Sequence, residues 1–479
     1  MTFNRAISFV FLLTTGVFIA FKIVVVPISH DEVSTIITAS QSSLVEIMFY
    51  SNPSPNNHIL NTILTKSSIF FFGHGHFAVR LPNLIAFFIY GIAAFRVTKT
   101  ILGEKSTFFI PALLFFISNL YFLDFFGLSR GYGLASSFCL LSISYLLSAF
   151  ELKKNRQIFL SLIAAMLAAY ASFTVLPFFI ILFVLCCYYF IICDLKNKKR
   201  IMINVSYLFF ISFVFGALII IPIVRMSATN QFQYWSSTNF FEATIQQLII
   251  HSIYDSKVLF FQVRNFIYAM IFLTLGVNIV YSIARIVKNK RSTSSYTHHV
   301  MIATLLLVGT GVIDLLQSYI LGTPKLEGRT ALFYFPLFIV GLVATSNIFK
   351  SLLNKSIAFL FSGLISITCI LQLTLNAKPF SVREWSYDAN TKKVINYINS
   401  HLEMEQDKLD CNWIFQPSFF YYSDIHPIID FELGDYNKNI NSFSSARYYY
   451  IPENEYDLLK ENYVPIIKFD NHCWLLERK

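Results

Sequence analysis

Two adjacent carboxylates, Asp31 and Glu32, open the stretch of this sequence whose residues could do chemistry. They follow Pro27-Ile28-Ser29-His30, directly after an apolar run long enough to cross a bilayer, so that run would pin them at the membrane surface. Asn56-Asn57-His58-Ile59-Leu60-Asn61 comes next, then Lys66, Gly73-His74-Gly75-His76 and Arg80-Leu81-Pro82-Asn83. A carboxylate can take the proton of an acceptor hydroxyl. Cationic side chains, or a divalent metal ion, can steady a leaving phosphate. Carboxylates and cations together at a membrane exit suit a reaction on a lipid-linked phosphate. The same pair also fits a plain helix start, with Asp31 as cap and Glu32 set against the helix dipole.

The elements that must hold these residues are membrane helices. Of 479 residues, 55% are apolar and only 13% charged, with 52 Phe and 26 Tyr; the mean hydropathy is +0.58. Soluble domains carry about 25% charged residues, so this chain has too few charges to clothe several water-soluble cores. That excludes disorder, a nucleic-acid module and a disulfide miniprotein, and leaves no nucleic-acid partner to expect. Runs of membrane-spanning length lie at 7–26, 79–98, 106–123, 131–150, 158–176, 178–194, 201–224, 265–287, 299–321, 330–348 and 356–375. Pro177 divides 158–194 into two short spans joined by a tight turn. A cleaved signal peptide is the other reading of 1–26, against which stands the lack of a small-x-small cleavage site.

With the N-terminus in the cytoplasm, inner loops collect roughly twice as many Lys and Arg as outer loops. Lys153, Lys154 and Arg156 form one inner cluster, Lys196, Lys198, Lys199 and Arg200 another, and Arg285, Lys288, Lys290 and Arg291 a third. Outer cations include Lys66, Arg80, Arg130, Lys257 and Arg329. The net charge of +10 is therefore a topology signal. Two outer loops are long, 27–78 and 225–264. In the first, 33–50 and 59–72 can form helices that lie on the bilayer surface. In the second, Trp235 fits an interfacial aromatic.

Residues 1–375 thus read as a polytopic membrane unit of about eleven helices, and 376–479 as a small α/β domain outside the membrane. In this tail, Asp388 can cap a helix running to Leu402. Trp413–Tyr422, Tyr448–Ile451, Ile466–Phe469 and Cys473–Leu476 read as strands, with a two-residue turn at Asp470-Asn471. Cys411 and Cys473 are the tail's only cysteines. An outer compartment permits disulfides, so they are expected to pair.

The order of span, Asp-Glu loop, Asn-Asn-His-Ile-Leu-Asn, a glycine, Arg-Leu-Pro-Asn-Leu and span resembles membrane glycosyltransferases of the GT-C superfamily. The branch it is most similar to includes protein O-mannosyltransferases and lipid A aminoarabinose transferases. The likeness covers residues 1–150 and returns at Gly328-Arg329-Thr330-Ala331-Leu332, followed by Pro336. It implies an integral-membrane enzyme, in bacteria of the plasma membrane. Such an enzyme transfers a sugar from a polyprenyl-phosphate donor to a glycan, lipid or protein acceptor on the extracytoplasmic face. By that resemblance Asp31 is the general base or a metal-associated carboxylate, and Glu32 helps hold the acceptor. Asn57 and His58 fall in the second part of that loop, where a His would face the carboxylates. Arg80, Arg130 with Tyr132, and Arg329 fall where the family places arginines, Arg329 to grip the donor phosphate. The Lys-Pro of the aminoarabinose transferases is missing from the first loop, where Lys66 is the available substitute.

Other readings stand beside these. Arg80 and Arg130 also fit interfacial anchors, Arg329 a helix-end anchor, and His58 a cap. His74 and His76 resemble a metal pair but sit in a glycine loop. Asp314, inside a predicted span, fits either a functional acid or a hydrogen-bonded structural group. The rival function is a transporter or flippase of lipid-linked saccharides, for which inverted repeats and broken helices would be expected. The sequence has no internal repeat, and its polar residues gather at one side.

Overall fold

The computed structural model describes residues 2–51, 53–54, 56–193, 197–231, 239–254, 260–287, 295–350, 354–403, 407–441 and 444–479. Trp235 and the loop cations Lys196, Lys257, Lys288, Lys290 and Arg291 lie outside the described residues. Helices α1 (Phe3–Val25), α2 (His30–Gln41), α3 (Leu44–Phe49), α4 (Ile59–Phe72), α5 (His76–Leu102), α6 (Phe109–Ile117), α7 (Leu120–Asp124), α8 (Gly131–Leu152) and α9 (Asn155–Ala171) make the first half. Then come α10 (Leu176–Cys193), α11 (Lys198–Ala228), α12 (Gln247–Ser252), α13 (Phe260–Val287), α14 (Ser295–Leu321), α15 (Tyr334–Lys350) and α16 (Lys355–Asn376).

Among the described residues, eight helices have the length and apolar composition to cross a membrane: α1, α5, α8, α10, α11, α13, α14 and α16. Helices α9 and α15 occupy two further expected spans but are shorter, at 17 residues each. The expected span 106–123 is not one helix. It breaks between α6 and α7 because Asn119 turns its side chain to cap α7, accepting from the Phe122 N–H at 3.1 Å. Such a local cap competes with a continuous ladder. The molecule is an integral membrane protein with a small sheet domain at its C-terminus.

Hydrogen bonds near the helix ends group several of them into two sets, in keeping with alternating spans. At one end Asn347 donates to the Ile101 carbonyl at 2.8 Å, Lys350 to Leu102 at 3.2 Å and Ser362 to Thr107 at 2.7 Å. At the other, His58 meets the Ala171 carbonyl at 3.1 Å and Arg225 donates to Phe49 at 2.7 Å. Between the ends the core is aromatic. Tyr90 packs on Phe116, Phe122 and Phe126 with ring centroids 5.1–6.2 Å apart, contacts worth about 0.5–1.5 kcal/mol each beyond area burial. Lys22 of α1, a charge within a span, is buried and pairs with Asp124 at 2.5 Å. Asp314 is likewise buried, and accepts from the Tyr334 hydroxyl at 3.2 Å; this is the structural alternative.

The tail carries α17 (Thr391–Ser400), α18 (Gln416–Phe420) and a five-stranded sheet. Its strands are β1 (Lys408–Cys411), β2 (Glu432–Leu433), β3 (Tyr448–Pro452), β4 (Tyr463–Lys468) and β5 (Cys473–Arg478), in the order β2-β1-β3-β5-β4. β1 runs parallel to both its neighbours, and the β3-β5-β4 side is antiparallel. The segment expected as a strand at Trp413–Tyr422 is helical instead, because Pro417 sits in the first turn of α18, where its missing N–H and fixed φ suit a helix start. The turn between β4 and β5 is longer than two residues: the Phe469 N–H reaches the Cys473 carbonyl at 2.9 Å. Cys411 and Cys473 are both free thiols. Cys411 lies opposite Tyr450 on β3, and β3 separates β1 from β5. Two strand spacings of about 4.8 Å each hold them too far apart to bridge.

The tail docks on the loop that follows α1. Ile28, Val33 and Ile36 share one apolar core with Val394, Leu409, Phe419 and Tyr421. The Tyr422 hydroxyl accepts from the Ile28 N–H at 3.1 Å, and Ser418 donates to the Ile28 carbonyl at 2.6 Å. Loop 27–78 and tail are therefore one packed unit at one end of the helical body.

Candidate active site

The carboxylate pair sits in the first turn of α2, and the local sequence explains why. Ser29-His30-Asp31-Glu32 is a capping-box pattern. Glu32 reaches back to accept from the Ser29 N–H and from its hydroxyl, at 3.0 Å each. That fixes the turn and sends the two acids in different directions.

Glu32 points inward. It and Arg80 are both 0% exposed, paired at 2.6 Å and 2.8 Å through two nitrogens of the guanidinium. Glu32 Oε1 also accepts from the Ser129 N–H at 2.6 Å. Arg80 spends its remaining donors on the carbonyls of Ile23, Val26 and Pro27 at 2.7–3.0 Å. Burial works against the Glu32 charge, but Arg80 and the Ser129 and Ser29 N–H groups hold its pKa below the usual range. This cluster ties the end of α1, the start of α2, α5 and the entry to α8 together. Neither side chain reaches a surface a substrate could touch, so an acceptor contact by Glu32 has no geometric support.

Asp31 points the other way. Its side chain is 12% exposed, and its Oδ2 lies 3.1 Å from Arg329 Nη2 and 3.6 Å from Arg130 Nη2. Asn56 Nδ2 is 3.5 Å from Oδ1. Burial raises the Asp31 pKa, but Arg130, Arg329, His30 and Asn56 together outweigh it and keep the carboxyl ionised below the ordinary range. Arg130, 1% exposed, also donates to the Asp31 and Asn56 carbonyls at 3.2 and 3.3 Å and to Asn56 Oδ1 at 2.9 Å. Gly131 lets this corner close. A Cβ there would overlap the Ala171 carbonyl oxygen and the His58 ring.

The other expected residues divide. His58 is buried, with Nδ1 on the Ala171 carbonyl, no partner for Nε2, and its ring edge-on to Tyr132 at 4.7 Å. Burial, reinforced by Arg130, pushes its pKa well down, so the ring is a neutral packing group behind Asp31. Tyr132 also lies near Arg130, 5.9 Å from ring centroid to guanidinium carbon. Asn57 accepts from Thr62 at 2.9 Å and shapes its own loop; its neighbour Asn56 is the one that meets Asp31. Lys66 donates to the Ala39 carbonyl at 2.9 Å, at the far end of α2, and does not join the cluster. His74 and His76 diverge. His74 meets Ser40 at 3.2 Å and His76 meets the Tyr422 hydroxyl at 2.9 Å.

Several site residues escaped the sequence. Glu384, in the segment joining α16 to the tail, pairs with Arg329 at 3.1 Å and accepts from the Tyr121 hydroxyl at 2.9 Å. Trp385 lies beneath Arg329, 5.0 Å from its guanidinium carbon. Asp388 was expected to cap α17; its Oδ2 instead accepts from the His30 N–H at 2.8 Å, clamping the turn that carries Asp31. Burial pushes its pKa well up. The one available signal was topological: this segment leaves the last span on the same side as the first loop.

A divalent metal at Asp31 does not fit this donor set, because the carboxylate faces two guanidinium groups rather than further anionic ligands. Among the described residues no group of three or more His, Cys, Asp or Glu side chains is placed to hold a metal ion.

By sequence, no protein family and no curated protein matches the chain. By structure it is similar to ArnT from Cupriavidus metallidurans in the apo state, with TM-score 0.47, 10% identity, and 98% of this chain and 97% of that chain covered. The same enzyme bound to undecaprenyl phosphate gives TM-score 0.35 at 10% identity and the same coverage. The Archaeoglobus fulgidus oligosaccharyltransferase, in complex with Zn and sulfate, gives TM-score 0.43 and 11% identity, with 94% of this chain and 71% of that chain covered.

Proposed function

We propose that this protein is a membrane glycosyltransferase of the GT-C kind. It transfers a sugar from a polyprenyl-phosphate donor to a glycan, lipid or protein acceptor on the extracytoplasmic face of a bacterial plasma membrane. The observation that carries the reading is Asp31: an ionised, partly exposed carboxylate between two arginines, at the end of the body where α1 exits. In the reaction Asp31 takes the acceptor hydroxyl proton as that oxygen attacks the anomeric carbon. The bond from anomeric carbon to phosphate oxygen breaks, and its electron pair leaves with the polyprenyl phosphate. Arg329 holds that phosphate through charge-assisted hydrogen bonds.

The arginines make Asp31 a weak base in the free protein, and a general base works best with a pKa near the operating pH. Asp31, Arg130 and Arg329 all lie at span ends. A transporter of lipid-linked saccharides would hold its polar site near the middle of the spans. The test is mass spectrometry of surface glycans from cells carrying wild-type protein or Asp31→Asn. Loss of a sugar mass increment in the variant, at equal protein level, supports the reading. Identical profiles in wild type, Asp31→Asn and a deletion strain refute it.

A further inference from the structure

Arg329 reaches the proposed donor phosphate only after a change of partners. Its Nη2 lies 3.1 Å from Asp31 Oδ2 and its Nη1 3.1 Å from Glu384 Oε1, so each arm of the guanidinium already meets a carboxylate. The second oxygen of Glu384 accepts from the Tyr121 hydroxyl at 2.9 Å and lies 3.9 Å from His251 Nδ1. His251 Nδ1 is buried and has no hydrogen-bond partner. The His251 ring packs on Tyr121 with centroids 4.7 Å apart. Arg329, the Tyr121 hydroxyl and the His251 nitrogen thus surround the Glu384 carboxylate as they would surround any small oxyanion. Gly328 sits beside them. A Cβ added there would meet Tyr121 Oη at 3.7 Å and His251 Nε2 at 3.8 Å, ordinary contact distances, so the glycine leaves a little room at this wall. Its φ of +51° also lies in the region that favours glycine.

We propose that the Arg329–Tyr121–His251 pocket is an anion subsite for the donor's phosphate, and that Glu384 is its built-in occupant, displaced when the phosphate binds. This rests on the glycosyltransferase reading and deepens it. The donor's phosphodiester carries one negative charge and two non-bridging oxygens, as a carboxylate does, so it can replace Glu384 on both Arg329 and Tyr121. Asp31 is the less suitable group to displace, because the same reaction needs it beside the acceptor. Glu384 side-chain exposure is 19%, and the side chain belongs to the segment between α16 and α17, so it can swing outward without moving a span. An anionic group in the resting pocket also excludes weaker anions, leaving a site that opens only to a ligand anchored by its lipid chain as well.

The experiment is equilibrium binding of polyprenyl phosphate, and separately of inorganic phosphate, to the full-length protein in lipid nanodiscs. Wild type is compared with Glu384→Gln, which keeps the shape and removes the charge, and with Glu384→Ala. Removing the competing carboxylate should tighten polyprenyl phosphate binding by up to about fivefold, the range of a partly exposed ion pair. It should also bring inorganic phosphate into measurable range. Arg329→Ala should abolish both gains. If wild type binds polyprenyl phosphate and both Glu384 variants bind it equally or more weakly, the subsite proposal is overturned and the functional reading stands. If neither wild type nor the Glu384 variants bind polyprenyl phosphate, the functional reading fails and takes the subsite with it.

Discussion

The cluster around Glu32 and the cluster around Asp31 lie on two sides of one helical turn, and they differ in what their charges can reach. Around Glu32 every oxygen and every guanidinium nitrogen is used inside the protein, among the chain segments it joins. Around Asp31 the geometry is looser. The ion pairs are 3.1–3.6 Å, Oδ2 has no hydrogen bond, and Arg329 side-chain exposure is 28%. A saturated buried pair gives register and rigidity; an unsaturated, partly exposed one leaves capacity for a ligand. Two adjacent acids thus divide into a saturated structural group and one that keeps capacity for a ligand.

The sharpest way to break that division is Glu32→Ala. It leaves Arg80 as an uncompensated buried charge, which costs about 3–5 kcal/mol. Thermal unfolding in detergent should show a large loss, partly recovered by Glu32→Ala with Arg80→Met. An unchanged melting temperature would dissolve the contrast between the clusters. On the Asp31 side the expectation is the reverse: little change in stability and a large change in donor use. Arg329→Ala should weaken donor binding about 10- to 100-fold, the range for one or two lost charge-assisted hydrogen bonds. Arg329→Lys should cost less, because a lysine keeps the charge, but should still weaken binding, because it lacks the bidentate fork. If donor KM and kcat are intact in both, Arg329 is only an anchor.

Next is a shift in pH dependence. Arg130, the largest charge effect on Asp31, holds its pKa down. Arg130→Gln removes a positive neighbour, so the Asp31 pKa rises and the ionised base is lost at higher pH. The acid limb of kcat/KM, which reports the free enzyme, should move upward; an unmoved limb would mean Asp31 is not the group observed. The smallest effect belongs to Lys66. Among the described residues its hydrogen bond is to the Ala39 carbonyl, and Lys66→Ala should change activity less than about twofold, within the ordinary range for substitutions away from a site.

How much of this was legible in the sequence follows from the kind of physics involved. Span-length apolar runs reported the helices directly, because in lipid an apolar run of that length has few alternatives. The capping pattern Ser29-x-x-Glu32 was present but was read with Asp31 as the cap, and only the fold shows that Glu32 turns inward. Arg130 and Arg329 could be nominated by type and side. Glu384, Trp385 and Asp388 could not, because they reach the site from a segment with no periodicity, by contacts 55 to 358 residues apart in the chain. The Lys22–Asp124 pair was half legible. A charge within a span calls for a partner, but nothing local names Asp124. The unpaired cysteines were invisible for a related reason, since strand order is not written in spacing.

The central claim is that Asp31 does the chemistry while Glu32 holds the frame. It is tested most directly by turnover of purified protein in nanodiscs supplied with membrane lipid donors and acceptors, following release of polyprenyl phosphate by mass spectrometry. Asp31→Asn should fold, melt within a few degrees of wild type and still bind polyprenyl phosphate, while turnover falls about 10²- to 10⁴-fold, the usual cost of losing a general base. Near-normal turnover by a folded Asp31→Asn protein would contradict the account.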